Sequence, residues 1–171
     1  GQKVPGDLSF YNEVGDEILL GSLINDKPTI LNFVYFNCPM LCSLLLDGFV
    51  DGLNSLDEDF LSRATIVTIS MDPKDTPESA HAYKKKYMDK LSLKNNVLDW
   101  NFLTGTQENI EKITTSVGFT YKYNKQTKEY AHSAASYILT PEAVISRYLY
   151  GITYSARDLK LALLEASRGK I

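Results

Sequence analysis

Cysteine is scarce in this chain: two residues among 171, Cys38 and Cys42, both inside the stretch FNCPMLC at residues 36–42. Two cysteines cannot build a disulfide scaffold, so the pair is a local site or a small local loop. Basic charge is also lacking. Eighteen Lys and Arg stand against 21 Asp and Glu, a net charge of -3, which excludes the footprint of a nucleic-acid binder. Long apolar runs are missing. The longest, ILNFVYF, has strand length and falls far short of the roughly 18 residues of a membrane span. Low-complexity tracts and internal repeats are absent, and the N-terminal GQKVPGD carries no signal-peptide pattern and reads as a mature end. Histidine occurs only at 81 and 132.

What remains has an ordinary soluble balance, 44% hydrophobic and 23% charged, at a length that suits one domain. The 11 tyrosines sit mostly in strand-like runs, where they pack on β-structure. Residues 1–12 read as an extended N-terminal arm, and Val14 to Leu20 as strand material near a turn. Thr29 to Phe36 is a nearly continuous apolar, β-branched and aromatic run, the pattern of a strand buried on both faces. From Pro39 the spacing turns helical, with Leu41, Leu44, Leu45, Phe49, Val50 and Leu53 on one broad side. Gly48 and Gly52 are expected to weaken that helix, bending it or ending it early.

RATIVTISMD is a second buried strand. Thr76-Pro77-Glu78 then opens a helix, with Thr76 at the N-cap and Pro77 at the first position. WNFLTG is a third strand, followed by a helix capped by Thr106 and stopped at Gly118. FTYKYNKQTKEYAH alternates like exposed antiparallel strands joined at Asn124 to Gln126. SAASYILTPEAVISRYLYG is a hairpin around Thr-Pro-Glu-Ala, and Ser155 caps a last amphipathic helix. The order predicts an α/β thioredoxin-like sandwich, residues 1–171 as one domain. It has a central mixed sheet, helices on both faces, an N-terminal strand extension and a segment inserted before the His132 strand.

Cys38 falls where the first long strand hands over to a helix. The partial positive charge and open N–H groups of a helix N-terminus favour thiolate over thiol. Residues i and i+4 of a helix have α-carbons about 6 Å apart, inside the roughly 4.4–6.8 Å that a disulfide accepts. The pair can therefore close as a disulfide or aim two sulfurs at one ion, and the spacing leaves both open.

His132 lies at the entrance to a strand, in Ala131-His132-Ser133, where dithiol oxidoreductases of this fold place a cis-proline. Two thiolates and an imidazole suit copper, Cu(I) or Cu(II). The alternative for His132 is a hydrogen-bonded residue at a strand edge. Met40 is either a thioether ligand or an apolar helix residue. Asp72 either orients a ligand or caps the helix after DPKDTPE, and His81 reads as a surface residue.

The motifs NFVYFNCPMLC, TISMDPKDTPESAHAYKKKY, FLTGTQENIEKITTSVGF and YAHSAASYILTPEAVISRYLYG occur in that order. From about Val14 to Leu164 the chain resembles the Sco/SenC family of copper-binding assembly proteins for cytochrome c oxidase. The resemblance implies a thioredoxin-like fold and one copper held by Cys38, Cys42 and His132. It implies a monomer facing the periplasm, with a membrane anchor outside these residues. Implied partners are cytochrome c oxidase subunit II and a copper donor or a thioredoxin-like reductant. Family members usually read CPDVCP where this chain has CPMLCS. Met40, Leu41 and Ser43 thus replace an acid, an aliphatic residue and a proline, and the site face becomes more apolar.

Three activities follow. A copper metallochaperone would transfer its ion by ligand exchange, breaking no substrate bond, and so is not an enzyme in the strict sense. A thiol–disulfide oxidoreductase would attack with Cys38 and resolve with Cys42. A thiol peroxidase would need an arginine beside Cys38, for which Arg63 and Arg147 are the candidates.

Overall fold

The computed structural model describes residues 1–37, 41–92 and 98–171, apart from the side chains of Leu41 and Cys42. Two runs set its centre: β3 (Thr29–Val34) and β4 (Thr65–Ser70) are buried at every residue. Side chains alternate across a strand, so burial of every position requires cover on both faces. The pair runs parallel, Thr29 opposite Thr65 through Val34 opposite Ser70. Beyond β4 lies β5 (Asp99–Leu103), also parallel. On the other side β8 (Ala135–Leu139) joins β3 antiparallel, and β9 (Ile145–Tyr150) closes the sheet as β8's hairpin partner. The five-stranded order β5-β4-β3-β8-β9 is the mixed sheet that the sequence predicts.

Helices cover the sheet from both sides. The crossover from β3 to β4 holds α2 (Leu41–Asn54) and the short α3 (Glu58–Leu61), and that from β4 to β5 holds α4 (Pro77–Met88). α6 (Ala156–Ser167) returns beside α2. On this face Phe49 of α2 lies edge-on to Trp100 and Tyr154, each at 5.7 Å, and Tyr87 of α4 also meets Trp100. Polar groups buried among them are paired. The Trp100 indole donates to Thr68 Oγ1 at 2.9 Å, and Thr68 donates to Asn32 Oδ1 at 2.6 Å. On the opposite face Phe33 packs against Phe119, which follows α5 (Gln107–Val117), with ring centroids 4.8 Å apart and planes tilted by 33°.

The predicted caps are in place. Thr76 accepts from the Ser79 amide in a full capping box, Thr106 from Asn109 and Ser155 from Asp158, and Gly118 ends α5 at φ 73°. The N-terminal arm is more structured than an extended tail. Val4 is buried and bonds Ala143, β1 (Ser9–Tyr11) pairs with β2 (Glu17–Leu19), and the one-turn α1 (Leu20–Leu23) follows.

One expectation is corrected. α2 runs unbroken through both glycines to Asn54. A Cβ on Gly48 would stand 1.7 Å from the Ile152 carbonyl oxygen, and one on Gly52 would stand 2.8 Å from Leu159 Cδ1. These glycines let the β9–α6 connection press against the helix.

Candidate metal and redox site

The cysteine motif leaves the sheet at the end of β3. Cys38, Pro39 and Met40 lie outside the described residues, as does the Cys42 side chain, and the backbone of Cys42 stands in the first turn of α2. The turn that leads into Cys38 is well defined. The Phe36 amide donates to Asp75 Oδ2 at 2.8 Å, and the Asn37 side-chain amide donates to Asp75 Oδ1 at 3.2 Å. Ser70, at the end of β4, donates its hydroxyl to Asp75 Oδ2 at 2.5 Å. Asp75 is 7% exposed. Burial pushes its carboxyl above the ordinary aspartate range, and the bonds from Ser70 and Phe36 work against that rise.

His132 reaches the same place from another part of the chain. The segment inserted before β8 is a two-stranded hairpin, β6 (Tyr121–Asn124) and β7 (Glu129–His132), with His132 opposite Tyr121. The half-buried imidazole stands edge-on to Tyr35, centroids 6.1 Å apart at 85°, and 6.1 Å from Phe119. Tyr35 lies between the end of β3 and the turn of Phe36 and Asn37. The fold thus brings His132 beside the backbone that runs into Cys38. Nδ1 of His132 is 2.9 Å from the Ser133 carbonyl oxygen. A carbonyl only accepts, so Nδ1 carries a proton, which makes Nε2 the nitrogen through which the ring can ligate a metal. This is the common arrangement of a metal-ligating histidine, whose second nitrogen is held by an acceptor.

Asp72 takes part through an intermediary. It accepts from the Lys74 amide at 2.9 Å and from the Tyr130 hydroxyl at 3.4 Å. Tyr130, two residues from His132 on β7, packs at 5.0 Å on Tyr35. Desolvation, then the charge and hydrogen bond of Asp72, push the Tyr130 phenol up to about 12. Tyr35 is therefore flanked by Tyr130 and His132.

Of the sequence candidates, His132 packs on Tyr35 and Asp72 is joined to the same cluster through Tyr130, whereas His81 is exposed on α4. The arginines that a peroxidase would need are engaged elsewhere, Arg63 with Asp59 at 2.8 Å and Arg147 with Glu165 at 2.5 Å. Among the described residues no group of three or more His, Cys, Asp or Glu is gathered to hold a metal. Two thiolates and one Nε2 imidazole are a donor set that fits copper. Asp75, Tyr35 and Tyr130 escaped the sequence reading. The only signal was an acid directly before the helix cap, in DPKDTPE.

Comparison with known proteins agrees with this organisation. The SCO1/SenC family matches residues 2–163. The mitochondrial protein SCO1 homolog 1 of Arabidopsis thaliana is 27% identical over 160 residues, 91% of this chain; the chain spans only 45% of that relative's length. A solved structure of Aquifex aeolicus VF5, provisionally assigned to electron transfer, is 26% identical with a TM-score of 0.85, covering 99% of this chain and 95% of that one. Arabidopsis thaliana ScoI, solved with copper bound, has 24% identity and a TM-score of 0.74 over 97% and 99% of the two chains. BsSco, described with a disulfide switch as a member of the Sco family of cytochrome c oxidase assembly proteins, has 22% identity and a TM-score of 0.76 over 99% and 96%. With the family match spanning nearly its whole length, the chain belongs to the SCO1/SenC family.

Proposed function

We propose that this chain is a copper metallochaperone for the copper site of cytochrome c oxidase subunit II. It would receive one copper from a donor protein and hold it on Cys38, Cys42 and His132. The observation that carries the reading is the placement of His132: beside Tyr35, at the entry to the cysteine turn, with Nδ1 held by a carbonyl. Family membership and the copper-bound relative support it. The copper is cargo. The protein's part is to offer two thiolates at a strand-to-helix junction and an imidazole protonated at Nδ1 that ligates through Nε2, and to yield them one at a time to an acceptor's ligands. In this reading the domain works on the extracytoplasmic side of a membrane. Among the described residues no helix is long and apolar enough to cross one.

A second reading has support from the disulfide switch described for BsSco. Cys38 would attack a partner disulfide and Cys42 would release the mixed disulfide, returning the partner's two thiols and leaving a Cys38–Cys42 disulfide. A thioredoxin-like reductant would then restore the pair. Both readings use the same thiolates.

The test is an anaerobic titration of the reduced protein with Cu(I) against a competing chelator. One tightly bound copper is expected in the wild type, weakened in His132→Ala and abolished in Cys42→Ser. Weak binding by wild type and His132→Ala alike would remove the copper reading and leave disulfide exchange.

A further inference from the structure

We propose that Asp75 is the positioning residue of the cysteine turn, fixing the backbone that delivers Cys38 to its partners. The inference rests on the reading of Cys38 and Cys42 as the working pair.

Asp75 stands directly before the helix α4 but does not serve it. The N-terminus of α4 already has its cap in Thr76, with the reciprocal bond from Ser79. The carboxylate turns away from α4 and accepts from Phe36, Asn37 and Ser70. Phe36 and Asn37 are the two residues immediately before Cys38, and Ser70 ends the neighbouring strand. One buried side chain therefore ties the exit of β3 to the exit of β4. The Met71 amide donates to the Val34 carbonyl at 2.7 Å, which completes the junction.

Burying a carboxylate is unfavourable unless donors meet it, and here three do. The Phe36 amide is itself buried and has its acceptor in Asp75, so loss of that acceptor would expel the amide toward water and release the turn. Copper binding and disulfide closure both demand defined sulfur positions. Both therefore depend on the same fixed turn.

The experiment compares wild type with Asp75→Ala, Asp75→Asn and Thr76→Ala, each shown to be folded by circular dichroism. Cu(I) affinity of the reduced protein is read against a chelator, and the Cys38–Cys42 disulfide is equilibrated with glutathione. Asp75→Ala is expected to weaken Cu(I) about tenfold and to shift the glutathione equilibrium about tenfold toward dithiol, the effect of refixing one released backbone residue. Asp75→Asn keeps an oxygen for the Phe36 amide and should restore both values to near wild type. Thr76→Ala loosens α4 without touching the turn and should move neither. Should the alanine variant fail to fold, Asp75→Ser replaces it, its hydroxyl being too short to reach Phe36.

The inference is overturned if the alanine or serine variant matches wild type in both readouts. It is overturned equally if Thr76→Ala shows the same losses, or if Asp75→Asn is as impaired as Asp75→Ala. Should wild type bind Cu(I) only weakly, the copper reading falls, and Asp75 is then judged on the glutathione equilibrium alone.

Discussion

Placing an alanine at Gly48 opposes two effects of known direction. In an isolated helix the change would be favourable, because glycine costs about 1 kcal/mol relative to alanine in a helix interior. In this fold the new Cβ would lie 1.7 Å from the Ile152 carbonyl oxygen and 2.9 Å from its carbon. To bring the oxygen out to even 3.0 Å, α2 or the 151–153 loop must retreat by about 1.3 Å. Neither neighbour is a flexible side-chain end. The loop leads into Tyr154, which packs on Phe49 and shares a 3.2 Å hydrogen bond with Ser136. Overpacking of this kind costs about 3 kcal/mol or somewhat more. After the propensity gain, Gly48→Ala should lose about 2 kcal/mol, which lowers the melting temperature of a domain this size by about 4–8 °C. Gly52→Ala should lose less, since its closest contact at 2.8 Å is a leucine methyl that can move. Thermal unfolding of the reduced, metal-free variants measures both. A Gly48→Ala protein as stable as wild type, or more stable, would refute the packing argument and leave helix propensity in control.

Two further outcomes follow from local geometry. Ala143 is held at φ 64°, a left-handed conformation that favours glycine, so Ala143→Gly should raise stability by about 0.5–1 kcal/mol; denaturant unfolding decides, and a lower midpoint would show that the buried methyl matters more. Asp72→Asn removes the charge facing Tyr130 and leaves a neutral amide oxygen as acceptor, so the Tyr130 phenol should ionise below the wild-type value of about 12, read from its ring carbons by NMR. The raised folded value means that stability present below pH of about 10 is lost as pH rises through about 12, and wild type should lose more of it than Asp72→Asn. An unchanged Tyr130 midpoint in the variant would mean that the contact with Asp72 is not made in solution.

Much of the fold was legible because its causes are local. Thr76, Thr106 and Ser155 each cap a helix through an amide three residues ahead, and Gly118 adopts the left-handed conformation that ends α5. The central strands announced themselves as nearly continuous apolar and β-branched runs because burial on both faces leaves no solvent-facing alternate position, and the few polar residues in them are small or internally paired, as Thr68 is with Asn32. The same local rules misjudged Gly48 and Gly52. In a helix pattern a glycine reads as weakness, while the reason here lies far along the chain, in the backbone of Ile152 for Gly48 and in Tyr154 and Leu159 for Gly52.

For the site, the sequence by itself determined the chemistry: two thiols four residues apart at a strand-to-helix junction, and one histidine before a later strand. Thiolate and imidazole are properties of side chains, and they survive in a string of letters. Only the tertiary structure decided which groups stand around them. It folded β6 and β7 into a hairpin that sets His132 against Tyr35, and it passed Asp72 to Tyr130. It also turned Asp75 away from the helix it precedes, toward Phe36, 39 residues upstream. A hydrogen bond across that separation depends on β3 and β4 lying side by side in register, and no short stretch of sequence contains that pairing.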